Sequence, residues 1–132
     1  HRRHPTRRRP RRPMTRPGAP DPPALAAIAA RLRAARRVVV SSHERPDGDA
    51  IGSGMALVLA LRAQGVEARM AMCDVPPPYL QPFPGVDTLW ITREVTETFD
   101  AAVIMECSSL ERTGVAGLDR SPVVNIDHHP GN

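Results

Sequence analysis

The sequence predicts an α/β fold with a parallel sheet of about five strands flanked by helices. Short apolar runs rich in β-branched residues alternate along the chain with helical segments or long connections, which is typical of parallel sheets. The clearest of these runs lie at 38–42, 101–105 and 121–126. The first and the last of them end directly in clusters of histidine and aspartate, at the position where open α/β sheets bind ligands.

The predicted elements begin at Asp21, which with Pro22 and Pro23 forms an N-cap followed by proline in the first helical turn. This helix extends to about Arg36. Further along the chain we expect strands at 38–42, 66–73, 87–91, 101–105 and 121–126, an apolar helix at 50–64 that Gly65 ends, and a proline-broken loop at 76–84 with one helical turn at 79–80.

Residues 1–20 differ in composition from the rest of the chain. They contain eight Arg and five Pro and almost no apolar side chains, so we predict a disordered Arg/Pro-rich tail. A basic arm that binds RNA or DNA, or upstream sequence that is not native to the protein, are the alternatives. Residues 17–132 carry ten Arg against fourteen acidic residues. The folded part is therefore negative, which argues against a basic nucleic-acid-binding face on it.

Several classes of chemistry and location are excluded by absences. The sequence has no Lys, which excludes a P-loop lysine, Schiff-base chemistry and the Ser/Lys hydrolases. Cys73 and Cys107 each lie in or beside an apolar run, so we expect buried thiols, no disulfide framework and a cytoplasmic location. No stretch approaches the roughly 20 apolar residues of a membrane span, and no signal peptide is expected.

A first chemical cluster, His43, Asp47 and Asp49, follows the first strand and precedes the apolar helix. In an extended loop, Asp47 and Asp49 project to the same side, and Gly48 lets the backbone turn. The helix N-terminus near Ala50 favours phosphate oxygens. An isolated D-G-D sequence most often forms a surface turn. A nucleotide-binding glycine loop is the competing interpretation, but it requires G-x-G-x-x-G, which these residues do not fit.

A second cluster, Asp127, His128 and His129, follows the last strand. Adjacent residues of an extended chain point to opposite sides, so all three cannot bind one ion. One histidine can bind a metal while its neighbour faces the substrate. Together the two clusters contain three carboxylates and three imidazoles, a donor set that favours a divalent-metal site.

At this point the sequence resembles the N-terminal domain of the DHH phosphoesterase superfamily over residues 37–132. Residues 43–53 fit H-x-x-P-D-G-D-A-x-G-S, and 124–129 read V-N-I-D-H-H. Both are most similar to the branch of oligoribonucleases and 3′-phosphoadenosine-5′-phosphate phosphatases. The resemblance also implies a fourth motif and a C-terminal substrate domain, which this sequence does not contain. We therefore expect 21–132 to be the N-terminal part of a longer catalytic domain, and we expect this part to be inactive alone.

The resemblance implies a centre of two Mn²⁺ ions, with Mg²⁺ as an alternative. His43 and Asp47 would hold the first ion, and Asp49 and His128 the second. Glu106 would bridge them, at a position where the family has Asp after an apolar strand. The remaining roles implied are His129 facing the scissile phosphate, Asp127 orienting the histidine pair, and Arg112 contacting phosphate.

The predicted function is Mn²⁺-dependent hydrolysis of short RNA oligonucleotides, of 3′-phosphoadenosine 5′-phosphate, or of both, by water that the two metals activate. The alternatives are a cyclic-dinucleotide phosphodiesterase, a pyrophosphatase or exopolyphosphatase of the same superfamily, and a non-catalytic regulatory domain. No membrane partner is expected, and a homodimer of the full-length protein is left open.

Overall fold

The structure of the protein is a computed structural model that describes residues 22–127. The predicted tail, the predicted cap Asp21, and His128 and His129 lie outside the described residues. Within them the elements are α1 (Pro22–Ala34), β1 (Arg37–Ser41), α2 (Gly48–Ala63), β2 (Glu67–Met72), β3 (Trp90–Ile91), β4 (Ala101–Met105) and β5 (Val123–Ile126). Neither of these helices is long and apolar enough to cross a membrane.

The five strands form one sheet in the order β3-β2-β1-β4-β5, and every neighbouring pair is parallel. The chain therefore leaves β1 in one direction through β2 and β3, then returns to β4 on the other side of β1. This reversal places a topological switch point between β1 and β4, and ligands of open α/β sheets bind beyond the carboxyl ends of the strands at such a point. The predicted five-stranded parallel α/β fold is confirmed.

Both faces of the sheet are covered. Val38 and Val40 of β1 belong to an apolar cluster that includes α2, whereas Val39 points into a second cluster on the opposite face, which includes Phe99. Because neither face contacts water, β1 and β4 read as continuous apolar runs instead of alternating ones. The central strands β1 and β4 are thus fixed by burial on two sides, which makes their ends rigid supports for a site.

The helix α2 packs unusually close to the sheet. A Cβ added to Gly54 would collide with the end of the Met70 side chain of β2. The glycine therefore allows a close approach between helix and strand. At the far end of the helix, Gly65 has a φ of +83° directly after the capping residue Gln64, which confirms the predicted glycine stop.

Several predicted boundaries were wrong. The helix α1 ends at Ala34 and not near Arg36, β1 lies one residue earlier than predicted, β2 is one residue shorter at each end, and β5 begins at Val123 and not at 121. The strand expected at 87–91 is only Trp90–Ile91, because Val86–Thr88 forms a 3₁₀ turn whose start, Gly85, is left-handed with a φ of +82°. The apolar helix begins at Gly48 and not near Ala50. The one-turn helix predicted in the proline-broken loop is confirmed as a 3₁₀ turn over Pro78–Leu80.

The amino-terminal edge of the sheet is held by a carboxylate and an arginine. The Asp100 Oδ2 atom accepts hydrogen bonds from the backbone N–H groups of Arg37 and Arg36, both at 2.9 Å. These two donors hold the pKa of Asp100 below its ordinary value. The Arg37 guanidinium pairs with Glu97 and Glu67 and lies 4.6 Å from the centre of a phenylalanine ring.

Candidate functional site

The loop at 42–47, which joins β1 to α2, is fastened to its neighbours on both sides. The buried Ser42 hydroxyl donates to the Met105 carbonyl oxygen at 2.6 Å, at the end of β4. The Glu44 N–H donates to the Arg112 carbonyl oxygen at 2.7 Å. On the other side, the Arg45 N–H donates to Asp74 Oδ2 at 2.8 Å, just beyond β2. The loop therefore lies at the switch point of the sheet with little freedom to move.

His43 is oriented in the way that metal-binding histidines require. Its Nδ1 atom lies 2.7 Å from the Glu44 carbonyl oxygen, which can only accept a hydrogen bond. The network therefore assigns the proton of the neutral ring to Nδ1 and leaves the lone pair on Nε2. That Nε2 atom lies 3.8 Å from Asp47 Oδ1, and the side chain is mostly buried. A histidine whose other ring nitrogen donates to a carbonyl is the usual arrangement at metal sites.

The two aspartates of the first motif have different structural positions. Asp47 is extended and caps α2, since its Oδ1 accepts the Ala50 N–H at 2.9 Å. Asp49 lies inside the first helical turn, where residues two apart do not share a face. The expectation that both project from one extended loop, with Gly48 turning the backbone, was therefore wrong. The Asp47 carboxylate still has acceptor capacity beyond the capping bond.

Glu106, the predicted bridging residue, follows β4 directly and has a left-handed backbone, with a φ of +53°. This conformation is rare outside glycine and is more common for Asp than for Glu. Its N–H donates to the Ile126 carbonyl oxygen at 2.9 Å, and its Oε2 atom is buried. Strained backbones of this kind persist where surrounding structure holds them, and they cluster at functional sites.

Asp127 lies next to Glu106 across the strand ends. Met105 of β4 pairs in register with Ile126 of β5, so Glu106 and Asp127 are the next residues of two adjacent parallel strands. Their carboxylates each bury one oxygen, Oε2 and Oδ2 respectively. Carboxylate oxygens are ligands of divalent cations, so this pair offers donors of a suitable kind at the strand ends.

Arg112 lies in a 3₁₀ turn, Glu111–Thr113, after β4. Its carbonyl oxygen accepts from the Glu44 N–H, so the structure brings its backbone to the His43 loop. The guanidinium is exposed and donates from Nη1 to the Ser108 hydroxyl at 3.3 Å. It is therefore available at the same edge of the sheet for an anionic ligand.

The structure brings some of the predicted site residues together and leaves others untested. His43 and Asp47 face each other, and Glu106 lies beside Asp127. Among residues 22–127, no group of three His, Cys, Asp or Glu side chains is arranged to hold a metal ion. His128 and His129 lie outside the described residues. The donor chemistry of imidazole nitrogen with carboxylate oxygen nevertheless fits a divalent transition metal such as Mn²⁺.

Neither cysteine competes as a nucleophile. Cys73 and Cys107 are free and buried, and burial raises the pKa of each thiol, to which Asp74 adds for Cys73. A thiol with a raised pKa stays protonated near neutral pH, whereas catalytic cysteines need a thiolate. Near neutral pH the two thiols therefore offer no thiolate nucleophile.

Three supporting residues were not predicted from the sequence. The Ser42 hydroxyl, the left-handed Arg45 with a φ of +52°, and Asp74 fix the loop that carries His43 and Asp47. The only signal in the sequence was position, because Ser42 ends a predicted strand and Arg45 and Asp74 follow predicted strands. Their contacts depend on the order of strands in the sheet, which the sequence alone did not supply.

Comparison with known proteins agrees with this architecture. The chain is 35% identical over 96 residues to the bifunctional oligoribonuclease and PAP phosphatase NrnA of Thermus thermophilus, covering 72% of this chain and 28% of that protein. An exopolyphosphatase-related protein of Bacteroides fragilis has the same fold, with a TM-score of 0.69 and 24% identity over 80% of this chain and 34% of that one. The chain thus spans about a third or less of either relative. Residues 37–132 match the N-terminal domain of the DHH family, and the chain belongs to that family.

Proposed function

We propose that the gene product containing this chain is a Mn²⁺-dependent phosphoesterase that hydrolyses short oligoribonucleotides and 3′-phosphoadenosine 5′-phosphate. The observation that carries the proposal is the geometry of His43. Its Nδ1 is fixed on a backbone carbonyl, and its Nε2 faces the Asp47 carboxylate at 3.8 Å. This arrangement lies in the segment that matches the family and at the switch point of the sheet.

The substrate class is supported by the relative from Thermus thermophilus, whose name describes an oligoribonuclease and PAP phosphatase. Both substrates are phosphate esters of nucleotides, so one hydrolytic centre serves both. We also propose a cytoplasmic location, which the two free cysteines support.

The site residues have separate proposed roles in metal binding and in phosphate binding. His43, Asp47, Asp49, Glu106 and His128 would hold two divalent cations, which when bound supply an activated water and neutralise charge on the phosphate. Glu106 keeps the bridging charge although it is one methylene longer than Asp. Asp127 would orient the histidine pair, and His129 would face the scissile phosphate. Arg112 would donate to the non-bridging phosphate oxygens, where charge develops in the transition state.

The experiment is a substrate panel with the intact gene product. Five substrates are compared: a 5′-phosphorylated diadenylate, adenosine 3′,5′-bisphosphate, a cyclic dinucleotide, pyrophosphate and polyphosphate. Each is assayed with Mn²⁺, with Mg²⁺ and with EDTA, and bound Mn²⁺ per chain is counted by calorimetry. We expect turnover of the first two substrates, supported by Mn²⁺ and abolished by EDTA, with two ions bound.

Other outcomes would replace the proposal. Preference for the cyclic dinucleotide or for the inorganic substrates would move the protein to another branch of the family. Failure to bind metal, together with no turnover of any substrate, would favour a regulatory domain without catalysis.

A further inference from the structure

A cavity of about 520 Å³ lies beside the candidate metal site. Its walls come from the loops that follow β1, β2 and β3, and they include Arg45, Asp74 and Arg93. Arg45 stands between the proposed ligands His43 and Asp47, so the cavity shares a wall with the site. A volume of this size lies in the range of small-molecule pockets and can hold part of a nucleotide.

Two of the arginines that line this cavity, Arg45 and Arg93, have no ion-pair partner within the part of the chain that the structure describes. Among residues 22–127, neither Arg45 nor Arg93 forms an ion pair within 4.0 Å or donates a side-chain hydrogen bond, whereas Arg37 pairs with two glutamates. The planar fork of arginine matches the geometry of phosphate oxygens. Two such groups in one cavity therefore favour an anionic ligand that carries a phosphate.

Two carboxylates, Asp74 and Glu44, also line the cavity, so its four charged side chains have no net charge and the preference for phosphate depends on the guanidinium donors. Asp74 accepts the Arg45 N–H, so one of its oxygens is already committed. Glu44 is the second acidic group, and its Oε2 lies on the side of Gly114 and Cys73. A free carboxylate beside two guanidiniums suits the hydroxyls of a sugar that carries the phosphate.

Both arginines are attached to fixed backbone. Arg45 is held in its left-handed conformation by the Asp74 carboxylate, and the Arg93 carbonyl oxygen accepts the Ala116 N–H at 2.9 Å. Only the side chains therefore need to be ordered when a ligand binds, which lowers the entropic cost of binding.

We infer that this cavity binds a second phosphate of the substrate, the one that is not hydrolysed, through Arg45 and Arg93. The inference rests on the proposed function, because it assumes that the scissile phosphate lies at the adjacent metal site. It adds a specificity: substrates with two phosphates, such as a nucleoside 3′,5′-bisphosphate, are preferred over a nucleoside 3′-monophosphate.

The test compares kcat/KM for adenosine 3′,5′-bisphosphate with that for adenosine 3′-monophosphate in the intact gene product with Mn²⁺. We expect a preference of about tenfold or more for the bisphosphate, since charge-assisted hydrogen bonds are the strong ones. Arg93→Gln should reduce the preference towards one and leave turnover of the monophosphate within about twofold. Arg31→Gln, on the exposed surface of α1, is the matched control and should change neither value.

Each alternative result overturns the inference. The inference is wrong if the wild type shows no preference for the bisphosphate, or if Arg93→Gln keeps the wild-type preference. It is also wrong if Arg93→Gln loses kcat/KM equally with both substrates. If Arg93→Gln does not fold, Arg93→Ala replaces it with the same expectations. If the wild type hydrolyses neither compound, the proposed function fails. Equilibrium binding of the same two compounds to wild type and variant then decides separately whether the cavity binds the second phosphate.

Discussion

The amino-terminal edge of this parallel sheet, where the strands begin, and the carboxyl-terminal edge, where they end, carry similar charged residues in different arrangements. At the amino-terminal edge, the Asp100 carboxylate accepts hydrogen bonds from two backbone N–H groups, and the Arg37 guanidinium pairs with two glutamates. At the carboxyl-terminal edge, Arg45 and Arg93 line an open cavity without ion pairs in residues 22–127. The first edge uses its charges to hold strands together, and the second keeps them available for a ligand.

The backbone shows the same contrast. In residues 22–127, the non-glycine residues with positive φ are Arg45 and Glu106, and both lie at the carboxyl-terminal edge. Each of these conformations costs roughly 1–3 kcal/mol and needs surrounding contacts to persist. The stabilising charge pairs therefore lie at one edge of the sheet, and the strained backbone lies at the opposite edge. Substitutions at the carboxyl edge should therefore change function more than stability, and those at the amino edge the reverse.

The largest expected effect is the loss of activity in Asp47→Asn and in Asp49→Asn. Each substitution removes a proposed anionic ligand, and hydrolysis should fall by more than about tenfold. Asn caps a helix about as well as Asp, so the Asp47 variant should keep its melting temperature. Activity and thermal melting are measured in parallel, with Asp119→Asn as an exposed control. Retention of more than about a tenth of the rate would contradict the metal assignment.

A smaller effect is expected for Glu106→Asp. Asp occupies the left-handed region more readily than Glu, and it keeps the charge, so activity should stay within about tenfold of wild type and the melting temperature should not fall. Glu106→Gln retains the length and removes the charge, and it should lose more than about tenfold. Similar activities for Gln and Glu at this position would show that the residue does not bridge metals.

At the opposite edge, Asp100→Ala should lower the melting temperature by a few degrees without changing kcat/KM. The folded-state pKa of Asp100 is depressed, mainly by the N–H of Arg37 and then by that of Arg36. Its stabilisation is therefore complete above the ordinary aspartate pKa near 3.9 and is lost as pH falls through the lower folded-state value. Melting curves at pH 7 and near pH 3 test this, and the difference between wild type and variant should shrink at the lower pH. A change in kcat/KM equal to that of the Asp47 variant would contradict the division of roles.

The smallest effect is expected for Arg45→Gly. The left-handed backbone costs a non-glycine residue about 1–2 kcal/mol, and glycine loses roughly 0.5–1 kcal/mol in entropy, so the variant should gain up to about 1.5 kcal/mol of stability. Chemical denaturation measures the gain. The same variant should lose part of its preference for the bisphosphate. A destabilised variant would show that the Arg45 side chain contributes packing that outweighs the strain.

Burial explains which parts of the fold were predictable from sequence. The strand at Ala101–Met105 was predicted to the residue, because a strand buried on both faces is one continuous apolar run. The strand predicted at 87–91 was too long, since the 3₁₀ turn before Trp90 depends on the left-handed Gly85. The order of the strands is a long-range property and could not be obtained from local patterns.

The candidate site shows the same limit. The spacing of His43, Asp47 and Asp49 identified the motif, and the placement of the motif after β1 is confirmed. The sequence did not reveal that Asp47 caps the helix while Asp49 lies within it, because the helix start depends on which aspartate the backbone uses. The cavity of Arg45 and Arg93 was also missed, since three separate loops have to meet before those residues share a wall.

The strand order also determines when the protein can complete its site during synthesis. The central strand β1 pairs with β2 soon after it is made, but its other edge waits for β4, which begins at residue 101. Pairing between such distant segments makes folding slow and leaves an apolar strand edge exposed in the nascent chain. Glu106 is synthesised directly after β4, and Asp127 follows β5. The His43 loop therefore leaves the ribosome long before these two residues exist. We therefore expect the nascent chain to need protection from aggregation until β4 and β5 have joined the sheet.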